Sequence, residues 1–79
     1  MKVDLVIKAD IAMIDIKTIE QYLKGEITPK EVLRKGMIVY TGQSMGVVVR
    51  KEYDYCLVRR HTGTGELTLR YENIRLMFT

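Results

Sequence analysis

From Gly36 to Phe78 the chain is a succession of apolar runs four to seven residues long, separated by gaps that hold glycine or polar turn residues. Runs of that length bounded by such gaps predict β-strands. We place them at Met37 to Thr41, Gly46 to Lys51, Tyr55 to Arg60, Glu66 to Tyr71 and Ile74 to Phe78. The separators carry turn chemistry: Gly42-Gln43-Ser44, Tyr53-Asp54, Thr62-Gly63-Thr64-Gly65 and Glu72-Asn73. Five short strands in so little chain predict a strongly bent small barrel, because closure removes exposed edges.

The first 35 residues follow other periods. Val3, Leu5, Ile7, Ala9, Ile11 and Met13 alternate with Asp4, Lys8 and Asp10, which favours a strand at least through Lys8. Beyond Asp10, Ala12, Ile16, Ile19 and Leu23 recur at helical spacing, with Asp15 as a cap and Gly25 as the stop. Between residues 9 and 15 the two patterns overlap. Thr28-Pro29-Lys30-Glu31 then has the form of a capping box with proline at the first helical position. It predicts a short helix to about Arg34, whose Val32 and Leu33 dock on the barrel with Ile19 and Leu23. The expected fold class is therefore mostly β, an α+β chain in which an N-terminal strand and a short helical hairpin (1–35) precede a five-stranded barrel (36–79), all in one domain, 1–79.

Seventy-nine residues leave no room for a second domain, since a chain this short buries only about 60% of its unfolded surface. The composition, 47% hydrophobic and 29% charged, is that of a globular chain. No uncharged run approaches the roughly 20 residues of a membrane span, and Asp4 interrupts the apolar stretch a secretory signal would require. A cytoplasmic setting is expected, and the lone Cys56, within an apolar run, reads as a small buried thiol.

The glycine and apolar positions of Lys35-Gly36-Met37-Ile38-Val39, Gly46-Val47-Val48-Val49, Leu57-Val58-Arg59-Arg60 and Asn73-Ile74-Arg75-Leu76 resemble the Src-homology-3-like small barrels, including their KOW-like subgroup. In that subgroup a glycine followed by valines turns the second strand sharply, as Gly46 to Val49 would here. The resemblance covers residues 36–78 and implies a binding module, with nucleic acid as the partner in the KOW case. Members that grip proline-rich peptides use several aromatics including tryptophan; this chain has no Trp and one Phe, which argues against such ligands.

Candidate chemistry is sparse. His61 is the single histidine, Ser44 the single serine, and no zinc set can be assembled around Cys56. An enzyme is not expected, nor a cofactor, a metal or a small-molecule substrate. Arginines and tyrosines, in contrast, gather on the strands. Arg50, Lys51, Tyr53, Tyr55, Arg59, His61, Arg70 and Arg75 are the candidate binding surface, because both residue types anchor protein interfaces and also serve nucleic-acid grooves. The plainer alternative is that the tyrosines are half-buried barrel residues and the arginines a solvated face. Strand parity places Tyr55, Arg59 and His61 on one side and Arg60 with Cys56 and Val58 on the other, so one of the two adjacent arginines lies toward the core side, at a strand end where it can reach water.

Net charge is +3, from thirteen basic and ten acidic residues. That excess tolerates nucleic acid without demanding it. Glu52, Asp54, Glu66 and Glu72 interrupt the basic residues and would repel phosphates. The favoured reading is thus an adaptor, regulator or inhibitor that docks on another protein, with no membrane partner. The alternatives are an RNA- or DNA-binding module and a self-assembling subunit whose N-terminal strand pairs with its copy.

Overall fold

The computed structural model describes residues 5–42, 44–63 and 65–79. Val3 and Asp4 of the N-terminal alternation, and Gln43 and Thr64 of two turns, lie outside them. Strand β1 (Leu5–Ala9) is followed by a 3-10 turn (Ile11–Met13), helix α1 (Ile16–Leu23) and the one-turn helix α2 (Pro29–Val32). Then come β2 (Ile38–Thr41), β3 (Ser44–Lys51), β4 (Tyr55–Arg60) and β5 (Glu66–Arg70), a second 3-10 turn (Tyr71–Asn73), and β6 (Ile74–Phe78). The strand-to-helix boundary falls at Asp10, whose carboxylate accepts from the Ala12 N–H at 2.9 Å and ends the strand by opening the 3-10 turn.

The strands form one curled sheet in the order β5-β4-β3-β2-β1-β6. It is a small β-rich half-barrel, compatible in general shape with the Src-homology-3-like class. Six strands replace the five expected. The N-terminal strand is not a prelude to the barrel: β1 lies between β2, to which it is antiparallel, and β6, to which it is parallel. Ile7 and Ala9 are fully buried there, so the alternation of β1 reflects a core face. Both edges of Leu5–Ala9 are occupied within the sheet, by β2 and by β6.

Every strand contributes to one interior: Ile7, Val39, Val48, Val58, Leu69 and Leu76 are all nearly inaccessible. Helix α2 closes the open side with Val32 and Leu33, also inaccessible. The capping box seats it: the Thr28 N–H donates to Glu31 Oε2 at 2.7 Å, and the Thr28 hydroxyl donates to the same oxygen. Hydrogen bonding from Thr28 holds the Glu31 carboxyl below its ordinary value.

Helix α1 packs differently from expectation. Leu23 was expected against the barrel, yet it is 70% exposed, and Ile16 on the same stripe is 74% exposed. Tyr22 takes the inward position instead. Its hydroxyl accepts from the Leu76 N–H at 2.9 Å, and its ring stands edge-on to Phe78 at 5.8 Å. The helix thereby covers part of the β6 edge. Gly25 ends it as expected, at φ 78°, with the Gly25 N–H reaching Tyr22 O and the Glu26 N–H reaching Gln21 O. Among the described residues no helix is long and apolar enough to cross a membrane.

Candidate interaction surface

The outer face of the sheet collects the candidate residues by strand parity, altered at one point. Val48 pairs with Val58, but Arg50 pairs with Leu57, so β3 carries an extra residue, Val49, as a β-bulge. Without it Arg50 would stand opposite Cys56 and point at the core. With it Arg50 moves to the outer face and Lys51 takes the place across from Cys56.

Tyr55, Leu57 and Arg59 share the outer face of β4, opposite Arg70, Thr68 and Glu66 of β5. Arg59 pairs with Glu66 at 3.5 Å, Arg50 with Glu52 at 2.7 Å, and Arg70 with Asp54 at 3.4 Å and Glu72 at 3.9 Å. The acids that interrupt the basic residues in sequence are therefore their partners in space. Each pair is exposed and contributes about 0–1 kcal/mol to stability. Their main consequence is that three of the candidate arginines are already neutralised.

The other candidates are distributed. Lys51 turns toward α2, its ammonium donating to the Lys30 carbonyl, and burial lowers its pKa. Tyr53, at the β3–β4 hairpin tip, is 87% exposed, with the Lys30 ammonium 4.3 Å from its ring centroid. His61 is exposed, and its N–H continues the ladder to Met45 O at 2.8 Å. Arg75 is set apart on β6, at the far edge of the sheet, beside Val6 in register. The structure thus brings together Arg50, Tyr55, Arg59 and Arg70, keeps His61 at their margin, and separates Lys51 and Arg75 from them.

The same face carries apolar surface outside the candidate residues. Tyr40 and Met77 flank Lys8 in register, and Ile38 and Val47 form the next pair. Val6, Tyr40 and Met77 are 39–49% exposed. Of the two adjacent arginines it is Arg60 that lies across from Gly46 on the core side of β4, and it is exposed at the strand end. It joins Val47, Val49, Arg59 and His61 around one cleft. The sequence signal for that cleft was the triple valine, whose meaning depends on the bulge.

Cys56 is a free, buried thiol, and burial raises its pKa, so the reactive thiolate is disfavoured. Tyr71 is buried, and its hydroxyl is without a hydrogen-bond partner among the described residues. Desolvation, reinforced by Cys56, Glu52 and Asp54, pushes that phenol to about 12. Among the described residues no group of three or more potential metal ligands occurs. No family model, curated protein or solved structure matches this chain.

Proposed function

We propose that this protein is a small non-enzymatic binding module, an adaptor, regulator or inhibitor, that docks on a partner protein through the outer face of its half-barrel. The carrying observation is that Arg50, Arg59 and Arg70 on this face are compensated by neighbouring acids, while Val6, Tyr40 and Met77 present apolar surface beside Lys8 and Arg75. Apolar surface on β2, β1 and β6 beside charge-balanced polar groups on β3 to β5 suits a protein interface. A nucleic-acid groove requires uncompensated cations along a phosphate track. Against an enzyme stand the solvated position of His61 and the thiol of Cys56, buried with a raised pKa. A cytoplasmic setting suits that free thiol.

The KOW-type reading is the second one, supported by Gly46 with its following valines and by Arg60 and His61, which have no carboxylate partner among the described residues. Affinity capture with the immobilised protein separates the two. A partner retained after nuclease treatment, and lost on Tyr40→Asp with the circular dichroism spectrum unchanged, supports protein docking. A retained species that nuclease removes, or a gel shift at low salt that collapses at high salt, overturns it.

A further inference from the structure

The cleft at the end of β4 has a chemistry of its own. It is lined by two aliphatic side chains, Val47 and Val49, and three basic ones, Arg59, Arg60 and His61. Three local features build it. The bulge between Val48 and Arg50 adds Val49 to the strand. Gly46 lets β3 and β4 approach closely, because a Cβ there would lie 2.5 Å from Val58 Cγ1 and 3.0 Å from the Arg59 carbonyl oxygen. The His61 N–H to Met45 O bond then extends the ladder one residue further and holds the basic pair in place.

Charge is uneven across this cleft. Arg59 is compensated by Glu66, whereas Arg60 and His61 make no ion pair among the described residues. The result is a positive site beside two valines, in which the imidazole of His61 is the one ring among the lining residues. Nucleobases held without sequence preference rely on several rings on which successive bases stack, and one imidazole does not make such a series. Aliphatic side chains pack on valine, and a guanidinium matches a carboxylate with two parallel hydrogen bonds.

We infer that this cleft receives an acidic, aliphatic segment of the partner protein, with a glutamate or aspartate carboxylate on Arg60 and an adjacent aliphatic side chain on Val47 and Val49. The inference rests on the protein-docking reading and names the chemistry of the partner at one point of that face.

The test uses fluorescence anisotropy with a labelled six-residue peptide of alternating leucine and glutamate, its leucine–glutamine counterpart, and single-stranded oligothymidylate. The expected result is binding of the acidic peptide, weaker by about tenfold or more when glutamine replaces glutamate, the loss expected for one charge-assisted contact. Arg60→Gln should weaken binding of the acidic peptide about as much and Arg60→Lys less, both with unchanged thermal melts. Amide shifts on titration should centre on Val47, Val49, Arg60 and His61. Failure of the acidic peptide to bind, equal affinity for the glutamine peptide, indifference to Arg60→Gln, tighter binding of oligothymidylate, or shifts centred elsewhere would each overturn the inference. If it falls while Tyr40→Asp still releases the nuclease-resistant partner, the docking reading stands without it; if the captured species is nuclease-sensitive, the docking reading itself is lost.

Discussion

The two faces of the sheet are built by the same strands and do opposite work. On the inner face Ile7, Val39, Val48, Val58, Leu69 and Leu76 are at most 4% exposed, and no charged residue is buried among the described residues. On the outer face Tyr40 and Met77 remain 39% and 49% exposed on either side of Lys8, and Arg50 and Arg59 on β3 and β4 are held by acids. Period-two alternation assigns each residue to one face or the other. Stability therefore depends mainly on the inner set, and the outer set is available for recognition at little cost to the fold.

The sharpest way to break this contrast is to empty the interior. Leu33→Ala removes a fully buried side chain and should destabilise by about 3 kcal/mol, lowering the melting temperature by roughly 15 °C for a domain of this size. A loss under about 1 kcal/mol in urea titration would show that α2 does not complete the core.

Gly46→Ala follows. Its new Cβ would press on the Val58 side chain and the Arg59 carbonyl, a strain of about 2 kcal/mol. Full stability would mean that β3 and β4 can separate freely. Thr28→Ala, which dismantles the cap that seats α2, should destabilise by about 1 kcal/mol.

The same cap gives a pH dependence. The Glu31 carboxyl has its folded pKa lowered from 4.5, so its contribution is present above that value and is lost as the pH falls through the folded pKa. Thr28→Ala should flatten this part of the acid titration of stability; an unchanged acid limb would assign it to other carboxylates.

On the outer face, Arg59→Glu sets two carboxylates across from each other at Glu66, yet should destabilise by only about 0.5 kcal/mol. Global unfolding of that variant would make Arg59 part of the framework. Smallest is Tyr71→Phe, which deletes a buried hydroxyl without a partner among the described residues. Its stability should stay within about 0.5 kcal/mol of the parent or rise, since no hydrogen bond is forfeited. A large loss would reveal that the hydroxyl is satisfied in solution.

Much of the architecture was legible because its signals are short-range. The strands Tyr55–Arg60 and Ile74–Phe78 occupy the expected residues, and Thr28 and Gly25 act as the cap and the stop their neighbours announce. Cys56 is buried in its apolar run. What escaped was long-range or depended on one shifted register. Nothing within Leu5–Ala9 states that its neighbours are β2 and, from the other end of the chain, β6. Leu23 fits the apolar stripe of α1, but the inward place goes to Tyr22, whose ring and hydroxyl together satisfy the β6 edge. The candidate arginines were visible as residue types, while their compensation by Glu52, Asp54, Glu66 and Glu72 required cross-strand and turn geometry.

By itself, then, the order of residues determined most of the strand positions of the C-terminal half, the stop of α1, the cap of α2 and the inward or outward parity of most side chains, because backbone propensity, capping and alternation act over a few positions. Only the tertiary structure decided that the N-terminal strand completes the sheet, that a single inserted valine turns Arg50 outward and Lys51 inward, and which cations keep their charge available. Those outcomes depend on which segments meet, and the closing of one sheet around a shared core selects them.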